Sequence, residues 1–237
     1  MRFRFAAMFR ASDEEKAYFG PFAVFIAGET LIGLIIWLFE GSRHWALSSP
    51  QYWIYPIQTA AAGWVLFGCW RRYNWGKPAR PLLMGAFAIA IGIAVFAFWI
   101  TPGIWLQSPR LHGYDPGFFG GGSAYALNLA MRGLRLVIVA PLAEEIFWRG
   151  FLYRYLIKPQ FVNVPFGTFD WKAFLVTTAG FGLEHRLDDW PAALLTGALY
   201  NWVATRTRSL ADCVLAHAVT NLALGLYVLH THEWGYL

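Results

Sequence analysis

Apolar residues gather into long runs separated by short polar stretches. Five runs stand out: Phe22–Phe39, Tyr52–Trp70, Pro81–Ile100, Leu136–Leu156 and Leu210–Leu229. Each approaches the ~20 residues that a helix rising 1.5 Å per residue needs to cross about 30 Å of hydrocarbon. Two shorter runs, Trp171–Leu183 and Trp190–Ala204, are interrupted by polar residues and suit tilted, cavity-lining or re-entrant segments. The pattern predicts an all-α, polytopic membrane helical bundle of about seven transmembrane helices, with six or eight as neighbouring counts. The stretch Thr101–Ser123, holding Pro102, Pro109, Pro116, Gly117 and Gly120 to Gly122, reads as a loop. There is no internal repeat, so residues 1–237 read as one integral membrane domain.

Composition supports lipid as the solvent. The chain is 57% hydrophobic and 14% charged, against about 25% charged in an ordinary soluble domain. Aromatics reach 19%, including 13 Trp, and Trp and Tyr collect at membrane–water interfaces. The net charge of +5 comes from Lys and Arg scattered in small groups between apolar runs. With no basic stripe, nucleic acid is excluded as a partner. Cys69 and Cys213 lie in or beside apolar runs and read as small buried hydrophobes. The first run follows a charged lead (Arg2, Arg4, Arg10, Lys16) and is too long for the core of a signal peptide, so it reads as the first membrane helix. Basic residues alternate from loop to loop in a way that puts the N-terminus in the cytoplasm and the C-terminus outside. Arg110, Arg132 and Arg135 break that alternation, because they make an outer connection too basic.

Polar groups inside the apolar runs need a reason, since each costs roughly 2.5–3.5 kcal/mol at the centre of a bilayer. The fourth run carries Glu144, Glu145 and Arg149. Glu145 and Arg149 are four apart with the acid first, the better orientation for pairing on one helix face. Glu144 lies about 100° around the helix from Glu145 and is left free for chemistry. Pro141 removes a backbone donor just before the acids, and in an α-helix would free the carbonyl of Val137 and kink the chain. Phe181 and His185 share a face, as do His217 and Asn221, an imidazole and a carboxamide able to act as paired donors.

Each feature also has a plain reading. Glu145–Arg149 alone can be a packing ion pair, His185 an interfacial residue, and Asn221 a hydrogen-bonding link between helices. Glu29 and Gln58 have no evident partner in the sequence. His230, His232 and Glu233 read as a solvated tail. His232–Glu233 opens like a zinc-protease HExxH, but Tyr236 occupies the second histidine position, so the motif fails.

Together, the clusters EExxxR (Glu144, Glu145, Arg149), FxxxH (Phe181, His185) and HxxxN (His217, Asn221) resemble the CAAX protease and bacteriocin-processing family, which includes type II CAAX prenyl endopeptidases. The likeness covers about residues 130–229, and Phe181–Tyr227 also resembles the CAAX protease-related proteins that accompany exosortases. It implies a glutamate-type intramembrane endopeptidase in a bacterial inner membrane, acting on a membrane-associated protein or peptide among membrane lipid, with no cofactor. It casts Glu144 and His185 as the water-activating pair, and His217 and Asn221 as holders of the oxyanion. Glu145, Arg149 and Phe181 are supporting residues. Three alternatives stand beside it: a zinc variant using Glu144, His185 and His217, a non-catalytic scaffold or immunity factor, and a transporter, which repeated halves would favour. One tension follows from simple alternation. His185 ends its helix near the outer side and His217 begins its helix near the inner side, so they meet only if all the groups lie well inside the bilayer or if the fifth and sixth segments do not span fully. The second, with a water-filled cavity open to one side, is the expectation. The substrate and the oligomeric state have no signature in the sequence.

Overall fold

The computed structural model describes residues 12–105, 110 and 113–236. Arg2, Arg4, Arg10 and Pro109 lie outside them. The helices are α1 (Asp13–Leu38), α2 (Trp45–Ser48), α3 (Gln51–Cys69), α4 (Pro81–Trp105), α5 (Ser123–Ile157), α6 (Trp171–Leu183), α7 (Trp190–Thr207) and α8 (Leu210–Thr231). Among the described residues there is no strand, only an isolated bridge between Gly76 and Ser209. The N-terminus of α1 is fixed by a capping box in which Ser12 and Glu15 each accept from the other's backbone N–H.

Four helices, α1, α4, α5 and α8, are long and apolar enough to cross a membrane, and the protein is an integral membrane protein of the all-α class. The count of seven is not reached on that measure. α6 has only 13 residues, about 20 Å of helix, while α3 and α7 are diluted by Tyr, Gln, Asn and Thr. Large side chains such as Leu82, 92% exposed, and Phe67 and Trp105 stand on the outer surface of the bundle, where only lipid suits them.

The predicted Thr101–Ser123 loop starts later than read, and the fourth membrane helix starts earlier than its apolar run. α4 runs through Pro102 to Trp105, and α5 begins at Ser123, well before Leu136. Arg132 and Arg135 are therefore buried helix residues rather than loop charges. Arg135 pairs with Glu29 on α1 and donates from Nε to Gln58 on α3 at 3.0 Å. Glu29 and Gln58 thus have a shared partner. Arg132 lies over the Tyr55 and Tyr114 rings at 4.9 and 5.2 Å. The tail also differs from a solvated one. Glu233 accepts from the Tyr227 hydroxyl at 3.0 Å and the Arg110 N–H at 3.3 Å, and Gly235 donates to the Arg110 carbonyl.

Packing sets α8 between α4 and α5, with α7 against α4 and α6, and α1 against α3 and α5. The α4–α8 contact depends on a small residue. A Cβ on Gly92 would lie 2.5 Å from the Ala216 carbonyl oxygen, and Thr220 Oγ1 donates to the Gly92 carbonyl at 2.8 Å. Such close backbone approach, sealed by a hydroxyl, is how membrane helices associate when lipid supplies no hydrophobic drive.

Candidate active site

α5 is not a uniform helix. Two π-helical turns, Arg135–Val139 and Ile146–Leu152, flank the α-helical turn Ala140–Glu145 that carries both glutamates. Wide turns of this kind cost hydrogen-bond geometry and concentrate at functional sites. The first forms just ahead of Pro141, which has no N–H to keep the α register. The sequence led to Val137 as the freed carbonyl. In the π register, where the Ala140 N–H bonds to the Arg135 carbonyl, the unmatched acceptor is instead that of Leu136.

Glu145 and Arg149 pair as their spacing predicted. Arg149 Nη1 donates to Glu145 Oε1 at 3.1 Å, and both side chains are fully buried. The rest of the guanidinium is also occupied: Nε donates to Asn201 Oδ1 and Nη2 to the Gly197 carbonyl, both at 3.1 Å. Asn201 is in turn held by Thr177, Thr178 and the Phe174 carbonyl. With both charges buried, that chain of hydrogen bonds is what makes the pair tolerable.

His217 reaches from α8 into this network. Its Nδ1 lies 2.9 Å from Glu145 Oε1, and its Nε2 lies 3.9 Å from Glu144 Oε2. Glu145 already accepts from an arginine and is an acceptor, so His217 Nδ1 carries the proton. Nε2 then faces Glu144, a lone pair in the neutral ring and an N–H in the imidazolium. Among the described residues, that long contact is the one ion-pair partner of Glu144, whose side chain is 15% exposed. Glu144 is the unclaimed carboxylate.

His185 follows α6. Its Nδ1 is 2.8 Å from the Phe181 carbonyl, which can only accept, so this nitrogen too is the protonated one and Nε2 is left free. The Phe181 ring is 5.0 Å from His185, 6.2 Å from His217 and 4.9 Å from the Arg149 guanidinium. It walls all three. His185, two residues beyond the end of α6, and His217, within α8, thus share this aromatic. Asn221 is placed differently from an exposed donor: its Nδ2 donates to the Leu136 carbonyl at 2.9 Å.

Two polar residues of the site escaped the sequence. Asn201 sits alone in the Trp190–Ala204 run, with no spacing to mark it. Glu184 occupies a spacer position beside His185, and its carboxylate accepts from Trp148 Nε1 at 2.8 Å. A zinc centre would need Glu144, His185 and His217 to converge as ligands. Among the described residues, no three His, Cys, Asp or Glu side chains do so.

Glu144, His217 and the Glu145–Arg149 pair thus share one largely buried network in a helical membrane protein. Over residues 126–223 the chain matches the family described as type II CAAX prenyl endopeptidase Rce1-like, the relationship its three motifs suggested, and the matched stretch holds them all. No curated protein and no solved structure matches it.

Proposed function

We propose that the protein is an intramembrane endopeptidase that hydrolyses a peptide bond of a membrane-associated protein or peptide without a cofactor. The observation that carries this reading is Glu144, partly exposed and held only by one long contact, beside a histidine whose other nitrogen is anchored on the Glu145–Arg149 pair. Glu144, in its carboxylate form, takes a proton from water as the oxygen adds to the scissile carbonyl carbon. Free Nε2 of His185 supplies a second acceptor for orienting that water, the role the family likeness gives it. His217, as imidazolium, donates from Nε2 to the tetrahedral oxyanion, with Glu145 compensating its charge. The neutral ring has no proton on Nε2, so this role needs the doubly protonated form. Glu144 then returns its proton to the leaving amine, giving one acid and one amine.

Orientation and location belong to the same proposal: a bacterial inner membrane, with the N-terminus in the cytoplasm. The substrate is a membrane-anchored chain, of which a prenylated CaaX-type tail is the member the family match favours.

Cleavage of a fluorogenic farnesylated CaaX peptide, in membranes holding matched amounts of wild type and variant, tests the reading. Glu144→Gln should lose activity by about 10²–10⁴-fold, the usual worth of a general base. Activity within a factor of two of wild type would sink the assignment. Chelator treatment of the wild type should leave cleavage unchanged, and loss restored by zinc would favour the metal variant.

A further inference from the structure

The carboxamide of Asn221 is engaged away from the glutamates, and the engagement has a cause. In the π-turn Arg135–Val139, the Ala140 N–H bonds to the carbonyl five residues back, that of Arg135. The next bond in that register would run from residue 141 to the carbonyl of Leu136. Residue 141 is proline, which has no N–H. The Leu136 carbonyl is thus left without its backbone donor inside a membrane helix, where an unpaired backbone group costs several kcal/mol. Asn221 Nδ2, from α8, lies 2.9 Å from that oxygen.

We infer that Asn221 is a positioning residue: its amide replaces the N–H missing at Pro141, locks the π-turn open, and so sets the rotation of the Ala140–Glu145 turn toward α8. The consequence follows from helix geometry. A π-turn inserts one residue into the helix, and each residue is about 100° of rotation. Collapse of Arg135–Val139 to α register would therefore swing Glu144 and Glu145 by about that angle. His217 stands one helical turn before Asn221 on the same face, so one stretch of α8 both fixes the turn and meets the acids it presents. On this account the HxxxN spacing pairs a histidine that touches the glutamates with an asparagine that aims them. The Leu136 side chain is also close to Gly225, whose added Cβ would lie 3.2 Å from Leu136 Cδ2, so α8 holds this turn at two successive positions.

The inference deepens the hydrolase reading for its consequence, but its deciding test is on the fold, so the two can fail separately. In detergent-purified protein, melting temperatures are compared for wild type, Asn221→Leu, Pro141→Ala and the double variant, along with hydrogen exchange of backbone amides over residues 133–143. Leucine keeps the volume and removes the donor. Pro141→Ala restores an N–H able to reach the Leu136 carbonyl. Expected is a fall of several degrees for Asn221→Leu when Pro141 is retained, with faster exchange in the segment. In the Pro141→Ala background the same change should cost less than half as much. Equal falls in both backgrounds, or none in either, overturn the inference. Should Asn221→Leu fail to fold by itself, recovery of folded protein in the double variant supports it and no recovery overturns it. A further arm uses the farnesylated peptide: Asn221→Leu lowers kcat, and Pro141→Ala restores at least a tenth of the wild-type rate. An asparagine that only donated to the oxyanion would leave no route to such rescue.

Discussion

Arg149 shows how one residue couples stability to chemistry. Its guanidinium holds Glu145 on one edge and Asn201 and the Gly197 carbonyl on the others, all without water contact. Removing it leaves Glu145 as a buried charge with only His217 to answer it. Arg149→Met should therefore destabilise by about 3–5 kcal/mol, the usual cost of breaking a buried pair from one side. Glu145→Gln combined with Arg149→Met should be less destabilised than Arg149→Met alone, because the stranded charge goes too. Thermal unfolding in detergent reads both, and a double variant worse than the single would contradict the pairing. The pair was legible from an i, i+4 spacing, since helical geometry forces the contact. Asn201 was not, because a lone carboxamide in an apolar run makes no pattern. Glu29 and Gln58 lacked a partner on paper only because Arg135 read as a loop residue, and a single Gly-rich stretch upstream was enough to hide the first turns of α5. The carbonyl that Asn221 reaches was hidden for a different reason: Pro141 was visible, but the π register that moves the orphan from Val137 to Leu136 was not.

At the scale of elements, the bundle is held by close approach rather than by bulk. Gly92 lets α4 meet α8 along the stretch that carries Ala216, His217 and Thr220, so its size controls where His217 sits. Gly92→Val should overpack this contact and cost about 1–3 kcal/mol. Gly63 on α3 has nothing within 4 Å of an added Cβ, and Gly63→Ala should be neutral or stabilising by about 0.5–1 kcal/mol, the helical penalty of glycine. Unfolding temperatures of the two variants should move in opposite directions, or the second not at all; a neutral Gly92→Val would mean the α4–α8 approach is looser than described. Element boundaries were the least legible part of the fold. Apolar runs located helix centres well, yet α5 begins at Ser123, well ahead of Leu136, because polar side chains that pair inside a bundle interrupt the hydropathy signal without ending the helix.

Contacts between the connections sort the whole molecule into two ends. At one, Gly76 bridges to Ser209, and Gly167 lies against Ala204 and Arg208. At the other, Tyr52 donates to the Asp115 carbonyl, Arg110 pairs with Asp189, and the 232–236 tail closes on Arg110. The first end collects Arg71, Arg72, Lys77, Arg80, Lys158, Lys172, Arg206 and Arg208, while the second has Arg43, Arg110 and Arg186. Arg132 and Arg135, which disturbed the count along the sequence, belong to neither, since they are buried in α5. With them removed, the bias for positive charge on the cytoplasmic side acts in one direction. We therefore expect the 70–80 and 208–209 connections in the cytoplasm and the 39–50 connection outside. Single cysteines at Ala79 and His44, introduced with Cys69 and Cys213 changed to alanine, can be probed in intact cells with a membrane-impermeant maleimide. His44→Cys should label at once and Ala79→Cys only after permeabilisation. The reverse order would invert the molecule, and the side from which Glu144 is hydrated would invert with it.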